Sequence, residues 1–489
     1  MQEKKAGVAR YENVDQDYLH QRQLKKSANT LLLWALGVGA VISGDFYGWQ
    51  FGLAAGGFWG MTIATLLMAA LYVCMVFTIA ELTAALPHAG GFYSFVRNAL
   101  GPTGGYICGV TDTIEYVITP AVIVVGISDY LASLVPAVPA YAWWLIAYAI
   151  FVGINIRGAE LTLQVGLAIT VVAVAVLVTF HVGALARGSF EVDKLFNMPA
   201  LEGHSSRGLP MGWGGVFAAL PAAIWFFLGI EQLPLASEET HDVVNSVPKA
   251  LILGIMTLLV LSLATLFINS GVGGGAVAIA ASGAPLRDGF VAVFGDTSAM
   301  TTLLTVLALT GMIASFHSII YAYGRVLFAL SRAGYFPRWI SLTNRTHTPH
   351  FALLLGAVIG LLCAFAIRMS GSGGAVGAAL INMAVFGAVI SYILVMASYI
   401  LLRVTRPTLP RPYKSPLGVP GAAAGMILSL LALAATFLDP ALRPAVWGVT
   451  IFLAVAIAYF FLYSRNRLVA QAPEEEVALV AKAEQELAH

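Results

Sequence analysis

Several acidic side chains stand inside the apolar stretches of this sequence, where charged residues are otherwise rare, and four of them could carry chemistry. They are Asp45, Asp112, Glu115 and Glu231. An ionised carboxylate at the centre of a membrane span costs about 2.5–3.5 kcal/mol on insertion scales, and such residues mark the pathways of ions and substrates. We therefore expect Asp45 to meet a cation, and the other three to be candidates for carrying a proton.

The composition is that of an integral membrane protein. Of 489 residues, 59% are hydrophobic and 10% are charged, whereas soluble domains have about 25% charged residues. The net charge of +1 argues against a nucleic-acid partner. The three cysteines lie in apolar runs without CxxC spacing, so we expect packing roles and neither a metal nor a cofactor. The chain has no HExxH or GxSxG motif, which argues against an enzyme.

The apolar segments are long enough to cross a lipid bilayer. A membrane-spanning helix needs about 20 predominantly apolar residues. We predict twelve spans, at residues 30–57, 58–85, 104–135, 140–156, 162–186, 213–236, 248–271, 299–331, 350–369, 375–402, 418–438 and 441–464. An even number puts both tails on one side of the membrane.

Lysine and arginine are distributed unevenly between the two sides. Of the 26, 19 fall on the side of the tails and six on the opposite side, and Arg325 lies within span 8. The positive-inside rule then places both tails in the cytoplasm, and we predict a multi-pass protein of the bacterial cytoplasmic (inner) membrane. The predicted parts are a tail (1–28), a transport core of spans 1–10 (29–404), spans 11–12 (405–466) and a second tail (467–489).

Both tails are predicted to be solvated appendages of the bundle. The C-terminal tail carries Glu474, Glu475 and Glu476 in a row, and residues 477–488 fit a short surface helix. We assign neither tail a role in transport.

Spans 1 and 6 carry residues that interrupt helices. Several glycines precede Asp45 in span 1, and Gly229, Glu231 and Pro234 fall within six positions of span 6. Irregular backbone at membrane depth is tolerated only where it is buried in protein or lines a cavity. The two spans are five apart, which predicts inverted five-span repeats with a site where both helices unwind. A pair of kinked, capped helices is the simpler alternative.

Four motifs, in order along the chain, resemble the amino acid–polyamine–organocation superfamily. They are GVGAVISG in span 1, IEYVITPAVIVVG in span 3, FFLGIEQLPLASEE in span 6 and RVLFALSRAGYFP at the end of span 8. The resemblance implies an all-α fold of about twelve transmembrane helices. Ten form an inverted five-plus-five repeat of the leucine-transporter type with discontinuous helices 1 and 6, and two are peripheral. Within the superfamily, SGDFYGWQFGLAAGGFWGM and ALPHAGGFYSFVRNALGPTGG most resemble the ethanolamine permeases.

Asp45 departs from the superfamily pattern at the place that matters for the substrate. The resemblance implies that, in the amino acid carriers, the break in span 1 presents backbone N–H groups that bind the substrate carboxylate. Here Asp45 occupies, to within one position, the place of a glycine among the small residues of that break. Two like charges about 4 Å apart repel by about 4 kcal/mol at an effective dielectric constant of 20. We therefore expect rejection of zwitterionic amino acids and acceptance of an ammonium group such as that of ethanolamine. Alternatively, Asp45 only caps the second half of span 1.

Aromatic residues around the two breaks complete the predicted substrate site. Aromatic faces attract ammonium groups by about 0.5–2 kcal/mol. The resemblance implies that Trp225 gates the site from outside. The predicted substrate-binding residues are Ser43, Gly44, Asp45, Phe46, Tyr47, Tyr116, Thr119, Trp225, Phe226, Phe227 and Gly229.

Four residues are candidates for proton coupling. Asp112 and Glu115 lie one helical turn apart on one face, and a buried carboxyl group can bind and release a proton. The resemblance supports Glu115; Glu231 and His317 are the further candidates. The alternatives are packing roles for the Asp112–Glu115 pair and for His317.

The predicted function is secondary active import of ethanolamine by alternating access, coupled to protons. Three alternatives stay open: a carrier for amino acids or another small amine, facilitated diffusion without coupling, and a channel. Residues 161–183 contain no lysine of the kind that replaces a sodium ion in some relatives, so either a neutral residue or a bound ion serves there.

Overall fold

The computed structural model describes residues 4–6, 8–295, 298–369, 375–438, 443–476 and 480. The described chain is mostly helical. Its α-helices are α1 Gln16–His20, α2 Thr30–Val41, α3 Ser43–Phe46, α4 Gln50–Ala85, α5 Phe92–Leu134, α6 Ala140–Arg157, α7 Ala159–Ala186, α8 Gly212–Ile224, α9 Val243–Ser270, α10 Gly275–Ala280, α11 Pro285–Phe294, α12 Ser298–Arg332, α13 His350–Met369, α14 Ala375–Thr405, α15 Gly418–Leu438 and α16 Arg443–Leu462. The 3₁₀ helices are Val192–Phe196, Ile230–Glu239, Arg338–Ser341 and Ser464–Asn466.

Ten helices in the described part are long and apolar enough to cross a membrane, namely α4, α5, α6, α7, α9, α12, α13, α14, α15 and α16. Two shorter apolar stretches, Thr30–Phe46 and Gly212–Ile224, occupy the places of predicted spans 1 and 6. A multi-pass membrane protein is therefore confirmed. The count of twelve and the inverted repeat stay predictions.

The first predicted span is interrupted, but three residues later than the glycines suggested. Helix α2 passes through Ile42 into α3, and Gly44 and Asp45 are helical. The chain then becomes extended at Tyr47 and adopts φ +106° at Gly48 before α4 begins at Gln50. Asp45 therefore lies in the last turn of the first half-helix and does not lie at the start of the second.

The sixth predicted span breaks between α8 and the 3₁₀ helix Ile230–Glu239, which we call the 230–239 helix. Gly229, in the left-handed region at φ +111°, separates the two. Pro234 lies inside the 230–239 helix, where it cannot donate a backbone hydrogen bond. A ten-residue 3₁₀ helix, which is more tightly wound than an α-helix, thus replaces a continuous α-helix after Gly229.

The two tails pack together at one end of the bundle. Strand β1 (Lys4–Ala6) pairs antiparallel with β2 (Ala9–Glu12), which pairs in parallel with β3 (Leu468–Val469). The prediction of solvated tails is wrong here, because Tyr11, Glu474 and Glu475 are buried. Short polar segments gave no periodic signal for this packing. The surface helix predicted at 477–488 lies outside the described residues, apart from residue 480.

Candidate functional site

The two interrupted segments cross in antiparallel directions, and glycines allow their backbones to touch. A Cβ atom added to Gly44 would lie 2.0 Å from the carbonyl oxygen of Trp225, so no other residue fits without moving the backbone. At the other break, Gly229 faces Ala40. Gly44 therefore serves close packing of the two breaks, whereas Gly229 also supplies a backbone conformation that L-residues rarely adopt.

Asp45 is fully buried beside this crossing, with 0% exposure. Neither carboxylate oxygen accepts a hydrogen bond from any residue in the described ranges, and the polar group that approaches the carboxyl is Thr265 on α9. The capping alternative is therefore wrong: α4 begins at Gln50 after the N-cap residue Trp49, and no side chain caps it. The C-terminal end of a helix carries partial negative charge. Asp45 adds a carboxyl group there, which makes the end of α3 attractive to a cation.

The backbone N–H groups at the two breaks have partners within the chain. The N–H of Gly48 donates to Oε1 of Gln50 at 2.7 Å, and the N–H of Gly229 donates to Oε2 of Glu231 at 2.9 Å. Both accepting side chains are buried. A substrate carboxylate would have to displace these side chains to reach the amide groups, so both breaks disfavour an anionic group.

The predicted aromatic residues flank the breaks. The Trp225 ring lies against Gly48, about 3.7 Å from where its Cβ would be, and Phe226 stacks on Trp49 with ring centroids 5.8 Å apart. Phe227 packs on Tyr72 at 5.4 Å. Trp225 remains partly exposed, whereas Phe226 and Phe227 are buried. Of these three rings, Trp225 is therefore the one that reaches solvent, and its role as a gate stays a prediction.

The other aromatic residues of the prediction point towards other neighbours. The ring of Phe46 packs against Gly311 of α12, where a Cβ would lie 2.4 Å from it. Tyr47 meets Phe51 edge-on at 5.6 Å. These contacts hold the interrupted part of the chain in place. Phe46 and Tyr47 are next to Asp45 in the sequence, but their rings pack against other residues.

Glu115 and Glu231 come together although they are 116 positions apart in the sequence. Their carboxyl groups lie within hydrogen-bonding contact of each other. The hydroxyl of Tyr392 on α14 donates to Glu231 and lies 2.8 Å from the hydroxyl of Tyr72 on α4. Neither acid has an ion-pair partner among the described residues. Two carboxyl groups in contact cannot both be ionised unless a cation lies between them.

Helix α5 lacks one backbone hydrogen bond close to Glu115. Pro120 lies inside the helix and leaves the carbonyl of Tyr116 without its usual i+4 donor. The Thr119 hydroxyl donates to the carbonyl of Glu115 at 2.6 Å. The predicted residues Tyr116 and Thr119 thus frame Glu115. Asp112 lies one turn away, with the thiol of Cys108 4.0 Å from its Oδ2.

Hydroxyl groups link the first half-helix to α7 and α12. Ser315 accepts from the N–H of Ser43 at 3.1 Å and donates to the carbonyl of Gly39 at 2.9 Å. Thr170 on α7 donates to the carbonyl of Ala35 at 3.1 Å. Thr170, a neutral residue of the segment 161–183, therefore contacts the first half-helix directly, and Ser43 takes part through its backbone.

His317 lies on α12, and its ring contacts α6 and α7. Its Nε2 atom is 2.8 Å from the carbonyl of Thr162, and its Nδ1 atom is 3.5 Å from the Asn155 amide. These contacts fit the packing alternative, and the proton role of His317 stays an untested prediction.

Sequence reasoning missed Gln50, Tyr72, Thr265, Ser315 and Tyr392. Gln50 had a signal, because a side-chain amide directly after Gly48 and Trp49 can cap an interrupted helix. The others are single hydroxyl groups in apolar runs, and their partners are distant in sequence.

Comparison with known proteins agrees with this arrangement. The family model described as "Amino acid permease" matches residues 29–462. The chain belongs to the amino acid permease family. An uncharacterised transporter of Rhizobium meliloti (strain 1021) is 30% identical to this permease over 338 residues, which are 68% of the permease and 71% of the relative.

Two further relatives match along almost the whole chain. The branched-chain amino acid permease BcaP of Bacillus subtilis (strain 168) is 26% identical over 461 residues, 91% of this permease and 94% of BcaP. The methylthioribose transporter of the same organism is 24% identical over 468 residues, 91% of this permease and 95% of the relative. The printed names of these relatives are those of transporters, and their named substrates differ.

Proposed function

We propose that this permease imports ethanolamine, in its protonated form, across the bacterial cytoplasmic membrane by alternating access. The observation that carries the proposal is the buried carboxyl group of Asp45 without a hydrogen-bond partner among the described residues. A buried charge is strongly unfavourable unless it is paired. An ammonium group of a substrate supplies that pairing and leaves with the substrate.

The backbone at the breaks supports a substrate without a carboxylate. Gln50 and Glu231 already accept the hydrogen bonds of Gly48 and Gly229. A zwitterion would have to displace one of them and place its own negative charge near Asp45 or Glu231. Aromatic faces at Trp225 and Phe226 add attraction for an ammonium group. The resemblance of the span 1 segment to ethanolamine permeases favours the same substrate.

Transport of an amino acid is the second candidate. It is favoured by the printed name of BcaP, which covers nearly all of this chain. Under this candidate an amino acid binds with its ammonium group at Asp45, and its carboxylate displaces Gln50 from Gly48.

Coupling to protons is proposed for the Glu115–Glu231 pair. One proton, or one cation, must neutralise two carboxyl groups in contact. The pair lies beside the break at Gly229, so movement of the 230–239 helix would separate the two groups and change their protonation. We further propose that Trp225 gates the side opposite the tails and that both tails are cytoplasmic, as the lysine and arginine distribution indicates.

Uptake of labelled ethanolamine into liposomes tests the substrate and the coupling together. Accumulation is expected with an inward proton gradient, and unlabelled ethanolamine should compete. Serine is ethanolamine with an added carboxylate, so it is the matched competitor. Strong competition by serine, together with weak competition by ethanolamine, would replace the proposal with the amino acid candidate.

A further inference from the structure

The C-terminal tail enters the end of the helix bundle where both tails lie. After β3, residues 473–476 are helical and bring two glutamates inward, and both have 0% exposure. The next residue, Glu476, is exposed. The parallel pairing of Glu12 with Val469 and the 3.1 Å hydrogen bond from the N–H of Val14 to Gln471 hold this segment in place.

Glu475 connects the tail to the start of α5. Its carboxylate accepts hydrogen bonds from Nε of Arg97 at 2.6 Å and from the hydroxyls of Tyr93 at 3.0 Å and Tyr335 at 2.8 Å. The hydroxyl of Tyr11 in β2 donates to the same carboxylate at 2.9 Å. Charge-assisted hydrogen bonds are about twice as strong as neutral ones, so this residue joins the two tails, α5 and the segment after α12.

Glu474 connects the tail to the broken sixth segment. Nη2 of Arg332, at the end of α12, donates to Glu474 at 2.6 Å and to Glu238 at 2.5 Å. Glu238 and Glu239 end the 230–239 helix, and Glu239 forms a fully buried ion pair with Arg325 of α12. Arg332 thus binds the tail and the 230–239 helix at once.

We infer that Glu474 and Glu475 form a latch that holds the 230–239 helix against α5 and α12, a contact that we call the tail-side gate. The latch must detach before the bound solute is released on that side. The 230–239 helix can separate from α5 and α12 only if the groups that bridge them let go. The inference rests on the proposed transport function, but it concerns the tail, which the substrate site does not include.

Hydrogen–deuterium exchange of the full-length protein in nanodiscs tests the latch without any substrate. Glu475→Gln should raise exchange in residues 468–476 and in the 230–239 helix by roughly tenfold, the change expected from loss of about one charge-assisted hydrogen bond. The neighbouring Glu476→Gln is the matched control and should leave both segments unchanged. Faster exchange of the tail alone would overturn the inference, because the tail would then dock without holding the gate.

Ethanolamine counterflow in liposomes gives the second measurement. The Glu475→Gln variant should exchange labelled ethanolamine several-fold faster than the Glu476→Gln control, with unchanged affinity. If the wild type transports no ethanolamine, the proposed function fails while the exchange experiment still decides the latch. If Glu475→Gln does not purify as a monodisperse protein, Tyr335→Phe makes the same test by removing one hydrogen bond to Glu475; unchanged exchange in that variant would likewise overturn the inference.

Discussion

Acidic residues occupy two regions of this permease in opposite ways. At the tail side, Glu81, Glu238, Glu239, Glu474 and Glu475 each pair with an arginine. In the middle of the bundle, Asp45, Asp112, Glu115 and Glu231 have no ion-pair partner among the described residues. Carboxylates thus stabilise the structure through ion pairs at the tail side. In the middle of the bundle, we propose that a transported cation or a proton supplies the counter-charge.

The largest effect is expected from Asp45→Asn. Loss of one partner of a buried charge pair costs about 2–5 kcal/mol, which is a factor of about 30 to several thousand in affinity. We expect ethanolamine binding, measured by calorimetry in detergent, to be lost at accessible concentrations. The variant should purify normally, because the carboxyl group makes no hydrogen bond that Asn would break. Near-normal affinity of the Asn variant would show that Asp45 does not bind the ammonium group of the substrate.

Substitutions in the tail-side region should lower the stability of the protein and leave its affinity for ethanolamine unchanged. Glu239→Gln leaves the fully buried guanidinium of Arg325 without its counter-charge, and breaking a buried pair by removing one partner costs about 3–5 kcal/mol. We expect a clearly lower Tm in scanning fluorimetry, with Asp45→Asn as the control that leaves the Tm unchanged. Equal Tm values for Glu239→Gln and the wild type would erase the contrast between the two regions.

Glu115→Gln sharpens the comparison within the middle region. The substitution keeps the shape of the side chain and removes a titratable group from the Glu115–Glu231 contact. We expect proton-driven accumulation of ethanolamine to vanish, while downhill exchange survives at a rate within a few-fold of the wild type. Both are measured in liposomes with and without a pH gradient. Accumulation that persists in the Gln variant would assign Glu115 to packing.

The sequence predicted that both segments are interrupted, but it did not predict the reason for every glycine. Gly44 suggested unwinding, yet it is helical and allows contact with the Trp225 carbonyl. This contact depends on how two distant segments cross, which local pattern does not contain. The pairing of Tyr392 with Glu231 joins residues 161 positions apart, and that of Glu475 with Arg97 joins residues 378 apart. Single polar groups of this kind are placed by the fold.

The smallest expected effect is a pH dependence of the latch. Burial raises the pKa of Glu474 from 4.5 to about 7, although Arg332 opposes this shift. In a detached tail the pKa of Glu474 returns to its usual value of 4.5, so docking is accompanied by proton uptake at pH values between 4.5 and about 7. Docking is therefore strongest at low pH and weakens as the pH rises towards 7.

Among the titratable groups around Glu474, we expect Glu474 to be the one that changes its protonation between pH 5 and 8. Burial lowers the pKa of His88 to about 4. Burial alone would raise the pKa of Glu238, but the Arg332 guanidinium holds it below its usual value. The remaining neighbours are Arg332 itself and Tyr93 of α5. The docked tail should therefore respond to Glu474 alone in this range.

Exchange of residues 468–476, corrected for the intrinsic pH dependence of amide exchange, measures this response. From pH 5.5 to pH 8 it should rise a few-fold in the wild type. In Glu474→Gln, which is neutral at every pH, the corrected exchange should stay constant, and Glu476→Gln should behave as the wild type. A wild-type tail whose corrected exchange does not change with pH, or falls as the pH rises, would mean that Glu474 docks as a simple ion pair of Arg332. In that case every acidic residue named at the tail side would stay ion-paired with an arginine over this pH range. The four acidic residues in the middle of the bundle would then differ from all of them.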